Sequence, residues 1–181
     1  MFEETAIKEV VIIKPKSFGD DRGYFFESFR KSEYTKNGMN LEFVQDNISF
    51  SKKGTIRGLH YQVGGFAQGK LCQVLRGEVL DVAVDIRFGS PTFGKHVKAL
   101  LSEENHNQIW IPPGFAHGFS VLSEAALFHY KCSAYYSKEH ERSVLYSDPE
   151  LNIDWQTTDP LISPKDLEAK LFKDIERDFH Y

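Results

Sequence analysis

Two histidines stand in settings that could do chemistry. His60 lies in Arg57-Gly58-Leu59-His60-Tyr61-Gln62, and His117 in Pro112-Pro113-Gly114-Phe115-Ala116-His117-Gly118-Phe119. An imidazole titrates near neutral pH with little tuning, so His60 is a candidate general base. Read plainly, it is a strand histidine with one satisfied hydrogen bond. His117 follows a Pro/Gly turn, where backbone is held open near a cavity. Its plain alternative is a turn histidine bonded to main chain. The other five, His96, His106, His129, His140 and His180, sit in polar or terminal contexts and read as surface residues.

Charged and aromatic partners are the next question. Lys70 enters the strand-like run 71–75 and could bring a cation inside, although an isolated lysine more often lies on the surface. Arg22 and Arg57 each precede a glycine. A guanidinium fork suits a phosphate where backbone can approach closely. Tyr130 and Tyr136 share one face of a predicted strand over 127–136. They would stand roughly 20 Å apart if that strand is unbroken, about the length of an extended nucleotide-sugar. Two core aromatics are the alternative. Asp166, in Ser163-Pro164-Lys165-Asp166, completes a helix-capping box.

A metal centre would need three or four ligands at suitable spacing. Besides the two histidines the chain offers Glu78, Asp81 and Asp85, but His60 is followed by Tyr61-Gln62 and no H-x-H occurs. The histidines are therefore expected to work without a metal. Cys72 and Cys132 are the two cysteines, both within strand-like segments, and read as ordinary reduced residues.

The elements that must position these groups are mostly strands. Fifteen Phe and eight Tyr in 181 residues favour sheet. Strands are predicted over 10–13, 23–29, 43–49, 79–86 and 127–136, and over Gln108–Ile111. In 79–86, Leu80, Val82, Val84 and Ile86 face one way; Val79, Asp81, Ala83 and Asp85 face the other, toward water or a polar cavity. A short helix is predicted over 32–36, stopped by Asn37-Gly38. A C-terminal helix is predicted from Pro164, with Leu167, Leu171, Phe172 and Ile175 as its apolar stripe. The chain reads as one domain over 1–181: mainly β, a barrel or sandwich with a helix packed on it. A net charge of −4 and the lack of any basic run argue against nucleic acid. No run approaches a membrane span, and Met1-Phe2-Glu3-Glu4-Thr5 lacks the marks of a signal peptide, so a cytoplasmic protein is expected.

The second histidine segment fits the P-x-G-x-x-H signature of cupin-type barrels. Taken in order, several segments resemble one family over nearly the whole chain. They are Phe18 through Glu27, Phe43-Val44-Gln45-Asp46-Asn47, Arg57 through Gln62, Gly77 through Arg87 with Ser90-Pro91-Thr92-Phe93-Gly94, Pro113 through Phe119, and Ser163 through Asp166. The chain is similar to the dTDP-4-dehydrorhamnose 3,5-epimerases. That resemblance implies a metal-free jelly-roll homodimer with no cofactor, acting on dTDP-4-dehydro-6-deoxy-D-glucose and inverting C3 and C5. It implies His60 as base, Asp166 as its orienting carboxylate, Tyr130 as acid, and Lys70 as the cation at the C4 oxygen. Tyr136 would stack on thymine. Arg22, Glu27, Gln45, Asp46, Asn47, Arg57, His117, Glu141 and Lys165 would contact the nucleotide-sugar, some of them from the partner subunit. Two departures stand out: Gln156 where the family usually has proline, and Cys72 where small aliphatics are common. A sibling epimerase acting at C3 or C5 alone, a metal-dependent cupin isomerase or dioxygenase, and a silent sugar-nucleotide binder are the alternatives.

Overall fold

The computed structural model describes residues 1–40 and 42–181. In chain order the strands are β1 (Phe2–Glu4), β2 (Val11–Ile13), β3 (Ser17–Asp20), β4 (Gly23–Phe26), β5 (Gln45–Lys52), β6 (Ile56–Gln62), β7 (Lys70–Arg76), β8 (Glu78–Asp85), β9 (His96–Ser102), β10 (Gln108–Ile111), β11 (Phe115–Val121), β12 (Ala125–Cys132) and β13 (Glu141–Ser143). Two short helices, α1 (Lys31–Lys36) and α2 (Pro164–Leu167), accompany them. A six-stranded sheet runs β1-β2-β10-β7-β12-β5, a five-stranded sheet runs β13-β6-β11-β8-β9, and β3 pairs with β4 as a separate hairpin. The fold is mainly β, as expected, but the sheets do not close into one hydrogen-bonded barrel.

The main core lies between the two large sheets. Cys72, Val74, Ile109, Ile111 and Phe128 of one pack on Val79, Ala83, Leu101, Phe115, Phe119 and Val121 of the other. Phe128 is fully buried and stacks on Phe119 with ring centroids 4.2 Å apart. Burying such a ring stabilises the fold by about 1.5–3 kcal/mol, and the stacked pair adds to that. The other face of the five-stranded sheet is covered too: Leu59, Leu80, Val82 and Val84 pack beneath Trp155, Phe172 and Ile175 of the C-terminal segment. The two-face alternation read for 79–86 is thus present, and its aspartate face is interior, since Asp81 and Asp85 are fully buried.

Three expectations change. The strand over 23–29 ends at Phe26, in an exposed hairpin. The strand over 127–136 ends at Cys132, because the main chain then turns to serve side chains: Gln62 donates to the Tyr135 carbonyl and accepts from the Ser137 N–H. The roughly 20 Å separation along one straight strand therefore does not apply. The C-terminal helix stops at Leu167. Beyond it, the Lys170 carbonyl accepts from Leu145 N–H and the Phe172 N–H donates to Asp148. Those tertiary bonds take the groups a helix would have used, and Leu167 is left exposed while Phe172 and Ile175 are buried. Gln156 adopts φ 54°, a conformation closed to proline.

Candidate active site

β6 and β11 carry the two histidines side by side, with His60 and His117 as register partners. The strands approach so closely that a Cβ on Gly58 would lie 2.5 Å from Gly118 Cα, and Gly58 also holds φ 136°. Both glycines are required for that approach.

His60 Nε2 lies 2.7 Å from Asp166 Oδ1. Asp166 is placed by the capping turn of α2, where its N–H donates to Ser163 Oγ at 3.2 Å. The capping role and the orienting role thus belong to one residue. Burial would raise the Asp166 carboxyl, but the hydrogen bond and charge of His60, with Ser163 and the Gly58 main chain, hold it below the usual aspartate range. An ionised carboxylate accepts from Nε2–H, which leaves Nδ1 with the lone pair a base needs.

A cavity of about 560 Å³ is lined by His60, Asp166, Lys70, Tyr130, Arg57, His117 and Lys165 over a floor of Phe119 and Phe128. A smaller one of about 260 Å³ shares His60, Lys70 and Tyr130 and adds Gln45, Asn47, Gln68, Tyr136 and Glu141. The two form one cleft with the reactive groups at the junction. Burial, with the cysteines nearby, pushes the Tyr130 phenol up to about 12. Lys70 Nζ stands 6.0 Å from its ring centre. Tyr136 donates to Glu141, which also pairs with Lys165. Burial opposes ionisation of Glu141, yet those two partners hold its carboxyl low.

Some predicted residues lie elsewhere. Asp46 points away from the cleft, toward Lys131 and His129, because it alternates with Gln45 and Asn47 along β5. Gln45 and Asn47, in turn, line this chain's own cleft. Arg22 sits on the β3–β4 turn, 89% exposed and paired with Asp20; Glu27 pairs with Arg30. Neither lines the cleft. Gln62, at the position where a second histidine would have made a metal pair, instead ties the loops at Phe66, Tyr135 and Ser137. Of the histidines read as surface residues, His180 is exposed, while His96, His106, His129 and His140 are partly covered; His106, for example, packs on Tyr24 and Phe26.

A second histidine–aspartate pair was not foreseen as a pair. His117 Nε2 lies 2.9 and 3.1 Å from the Asp81 oxygens, with Cys72 Sγ at 3.9 Å. Cys72, Asp81 and His117 are the one group among the described residues whose ligating atoms converge enough for an ion, within 4.8 Å of each other. The set considered from sequence does not assemble, since Asp85 is tied to Arg87, Ser90 and Thr92 and His60 to Asp166.

A two-sheet jelly roll whose cleft gathers a histidine–aspartate pair, a lysine and a tyrosine defines a class of proton-transfer enzyme. A family model described as dTDP-4-dehydrorhamnose 3,5-epimerase matches residues 4–174. The Shigella flexneri dTDP-4-dehydrorhamnose 3,5-epimerase is 53% identical over 174 residues, 96% of each chain. The crystal structure of a Legionella pneumophila 3,5-epimerase in complex with dTDP-4-keto-L-rhamnose is 53% identical, with TM-score 0.96, covering 100% of this chain and 98% of that one. A 3'-monoepimerase from Streptomyces bikiniensis, in complex with dTDP-quinovose, is 31% identical with TM-score 0.88 over 94% of this chain and 87% of its own. This chain belongs to the dTDP-4-dehydrorhamnose 3,5-epimerase family.

Proposed function

We propose that this chain inverts C3 and C5 of dTDP-4-dehydro-6-deoxy-D-glucose to give dTDP-4-dehydro-β-L-rhamnose, in dTDP-L-rhamnose biosynthesis. It does so as one domain over 1–181 and without a cofactor. The observation that carries this reading is the His60–Asp166 hydrogen bond opening on the same cleft as Tyr130 and Lys70.

Protons at C3 and C5 are acidified by the C4 ketone between them. His60 takes one through Nδ1, and Asp166 stabilises the imidazolium that forms. The electron pair of the broken C–H bond moves to the C4 oxygen, where the Lys70 ammonium meets the growing charge. A fixed cation there stabilises the transition state more than the ground state. Tyr130, still a phenol at neutral pH, returns a proton on the opposite face, which inverts the carbon. Tyr136 stacks on the thymine. Gln45, Asn47, Glu141 and His117 position the nucleotide-sugar, and Arg57 and Lys165 face its pyrophosphate, offsetting the chain's net negative charge.

Turnover in deuterated water followed by product NMR tests the proposal. Deuterium should enter at C3 and C5, and a 4-reductase with NADPH should consume the product. Label at C3 alone would favour the second reading, a monoepimerase, which the Streptomyces bikiniensis likeness keeps in view.

The working unit we propose is a cytoplasmic homodimer. Among the described residues, no helix is long and apolar enough to cross a membrane. The β3–β4 hairpin exposes Phe18, Tyr24 and Phe25 beside Arg22, and edge strand β5 exposes Ile48 and Phe50. A second copy covering these faces could receive Arg22 and Glu27 into its cleft. A dimer is expected by sedimentation at micromolar concentration; a fully active monomer would refute shared sites.

A further inference from the structure

Along one face of β5 stand four polar side chains: Gln45, Asn47, Ser49 and Ser51. Three are tied within the protein. Gln45 donates to Asn47 Oδ1 at 3.0 Å and accepts from the Tyr136 N–H at 2.9 Å. Asn47 reaches Cys132 Sγ at 3.5 Å, and Ser51 accepts from Arg57 Nε at 3.0 Å. Ser49 is different. Among the described residues, its Oγ is the one buried side-chain polar atom with no hydrogen-bond partner in the protein. It lines the larger cavity, opposite Phe128 in register and one step along the face from Asn47.

A buried hydroxyl without a protein partner is unfavourable unless something in the cavity meets it. Ser49 shares that cavity with His60, Lys70 and Tyr130, so a ligand bound against those groups can supply the missing partner. Which part follows from the two halves of the cleft. Ser49 does not line the smaller half, where Tyr136 and Glu141 receive the base. It lines the larger half, with Arg57 and the reactive groups, over the aromatic floor. A neutral hydroxyl that can donate and accept matches another hydroxyl, whereas Arg57 and Lys165 already supply cations for phosphate.

We infer that Ser49 is a specificity-determining residue whose hydroxyl hydrogen-bonds a ring hydroxyl of the bound hexose, so that the site distinguishes a sugar nucleotide from the bare nucleotide. This rests on the proposed function, since it takes the ligand to be a dTDP-hexose.

Calorimetry with dTDP-glucose and with dTDP on wild type, Ser49→Ala and Ser49→Thr tests it. Ser49→Ala should weaken dTDP-glucose by about 3–10-fold, the range for one neutral hydrogen bond, and leave dTDP binding unchanged. Ser49→Thr, which keeps the hydroxyl, should restore most of the sugar affinity. The Ala variant should melt at or above the wild-type temperature, because it removes an unpartnered polar atom. In turnover, KM should rise by the same factor while kcat and the C3-to-C5 label ratio hold. Equal loss for dTDP and dTDP-glucose, no loss for either, or a Thr variant as weak as Ala would overturn the inference. Failure of the proposed function shows differently: wild type would not turn over the keto-sugar nucleotide at all, while the dTDP-glucose and dTDP comparison would still read out Ser49.

Discussion

The two histidine–aspartate pairs sit on neighbouring strands and invite comparison. In one, His60 meets Asp166 from 106 residues away, and the side chains are 29% and 5% exposed. In the other, His117 meets Asp81 on adjacent β8, and the side chains are 7% and 0% exposed. The bonds are nearly the same length, 2.7 and 2.9 Å. Access separates them. His60 has one nitrogen fixed and its ring reachable from the cleft, as a proton carrier requires. His117 lines the larger cavity but is almost wholly buried between the sheets: burial pushes its imidazole below the ordinary histidine range, although Asp81 pulls the other way. The same pairing serves proton transfer where the ring is accessible and rigidity where it is almost wholly buried.

Removing each pair in turn sharpens that contrast. His60→Ala should lower exchange at both C3 and C5 by about 10²–10⁴, the usual contribution of a positioned base. Asp166→Asn should keep the fold, since asparagine suits a helix start, and leave exchange measurably slower because His60 is no longer oriented as a base. Near-normal exchange in His60→Ala with complete loss in Tyr130→Phe would exchange the roles of base and acid. The expected result for Tyr130→Phe is slower net inversion, with some proton washout retained through His60.

Lys70→Ala comes next. Losing the charge at the C4 oxygen should slow exchange at both carbons by about 10²–10³. Loss at one carbon only would mean that Lys70 acts elsewhere than on the shared ketone. Rates of deuterium entry at C3 and C5, measured by NMR, decide it.

Legibility in the sequence followed locality. His60, the capping turn that holds Asp166, and the two faces of β8 were readable because each depends on residues a few positions apart. That Asp166 reaches His60 came only from family likeness, because nothing local encodes a contact spanning 106 residues. Tyr136 was placed on a strand that Gln62 breaks, and Gln62 is 73 residues from the carbonyl it holds. The tail read as a helix because Leu167, Leu171, Phe172 and Ile175 have helical spacing, yet its main chain found Leu145 and Asp148 instead. Asp46 and Ser49 were legible in principle: alternation along β5 puts 46 outside and 49 inside.

The buried pair should answer in stability. Asp81→Ala leaves His117 buried without its partner, a loss of about 1–3 kcal/mol. At roughly 2–4 °C per kcal/mol for a chain of this size, calorimetric melting should drop by several degrees. A variant melting at the wild-type temperature would mean that the His117–Asp81 bond contributes nothing to the fold.

The smallest effect expected is in the pH dependence of stability, where the two pairs separate by window. His117 has a depressed folded pKa, so below about 6.5, the ordinary histidine value, the unfolded chain binds a proton that the folded chain refuses. Stability should therefore decline as pH falls from about 6.5 toward the lowered folded value of His117. Asp166 is also depressed, but as a carboxylate. Its contribution is fully present above about 3.9, the ordinary aspartate value, and is lost as pH falls through its own lower folded pKa. Denaturant melts across pH should show the histidine limb first and the carboxylate limb at stronger acid. His117→Gln, which cannot titrate, should shrink the first limb to the part left by His96, which burial also holds below the ordinary histidine range, and leave the second. If His117→Gln left the decline below about 6.5 unchanged, the burial of a neutral His117 would not be its source, and the contrast between the buried and the open pair would rest on activity and on the Asp81→Ala melt.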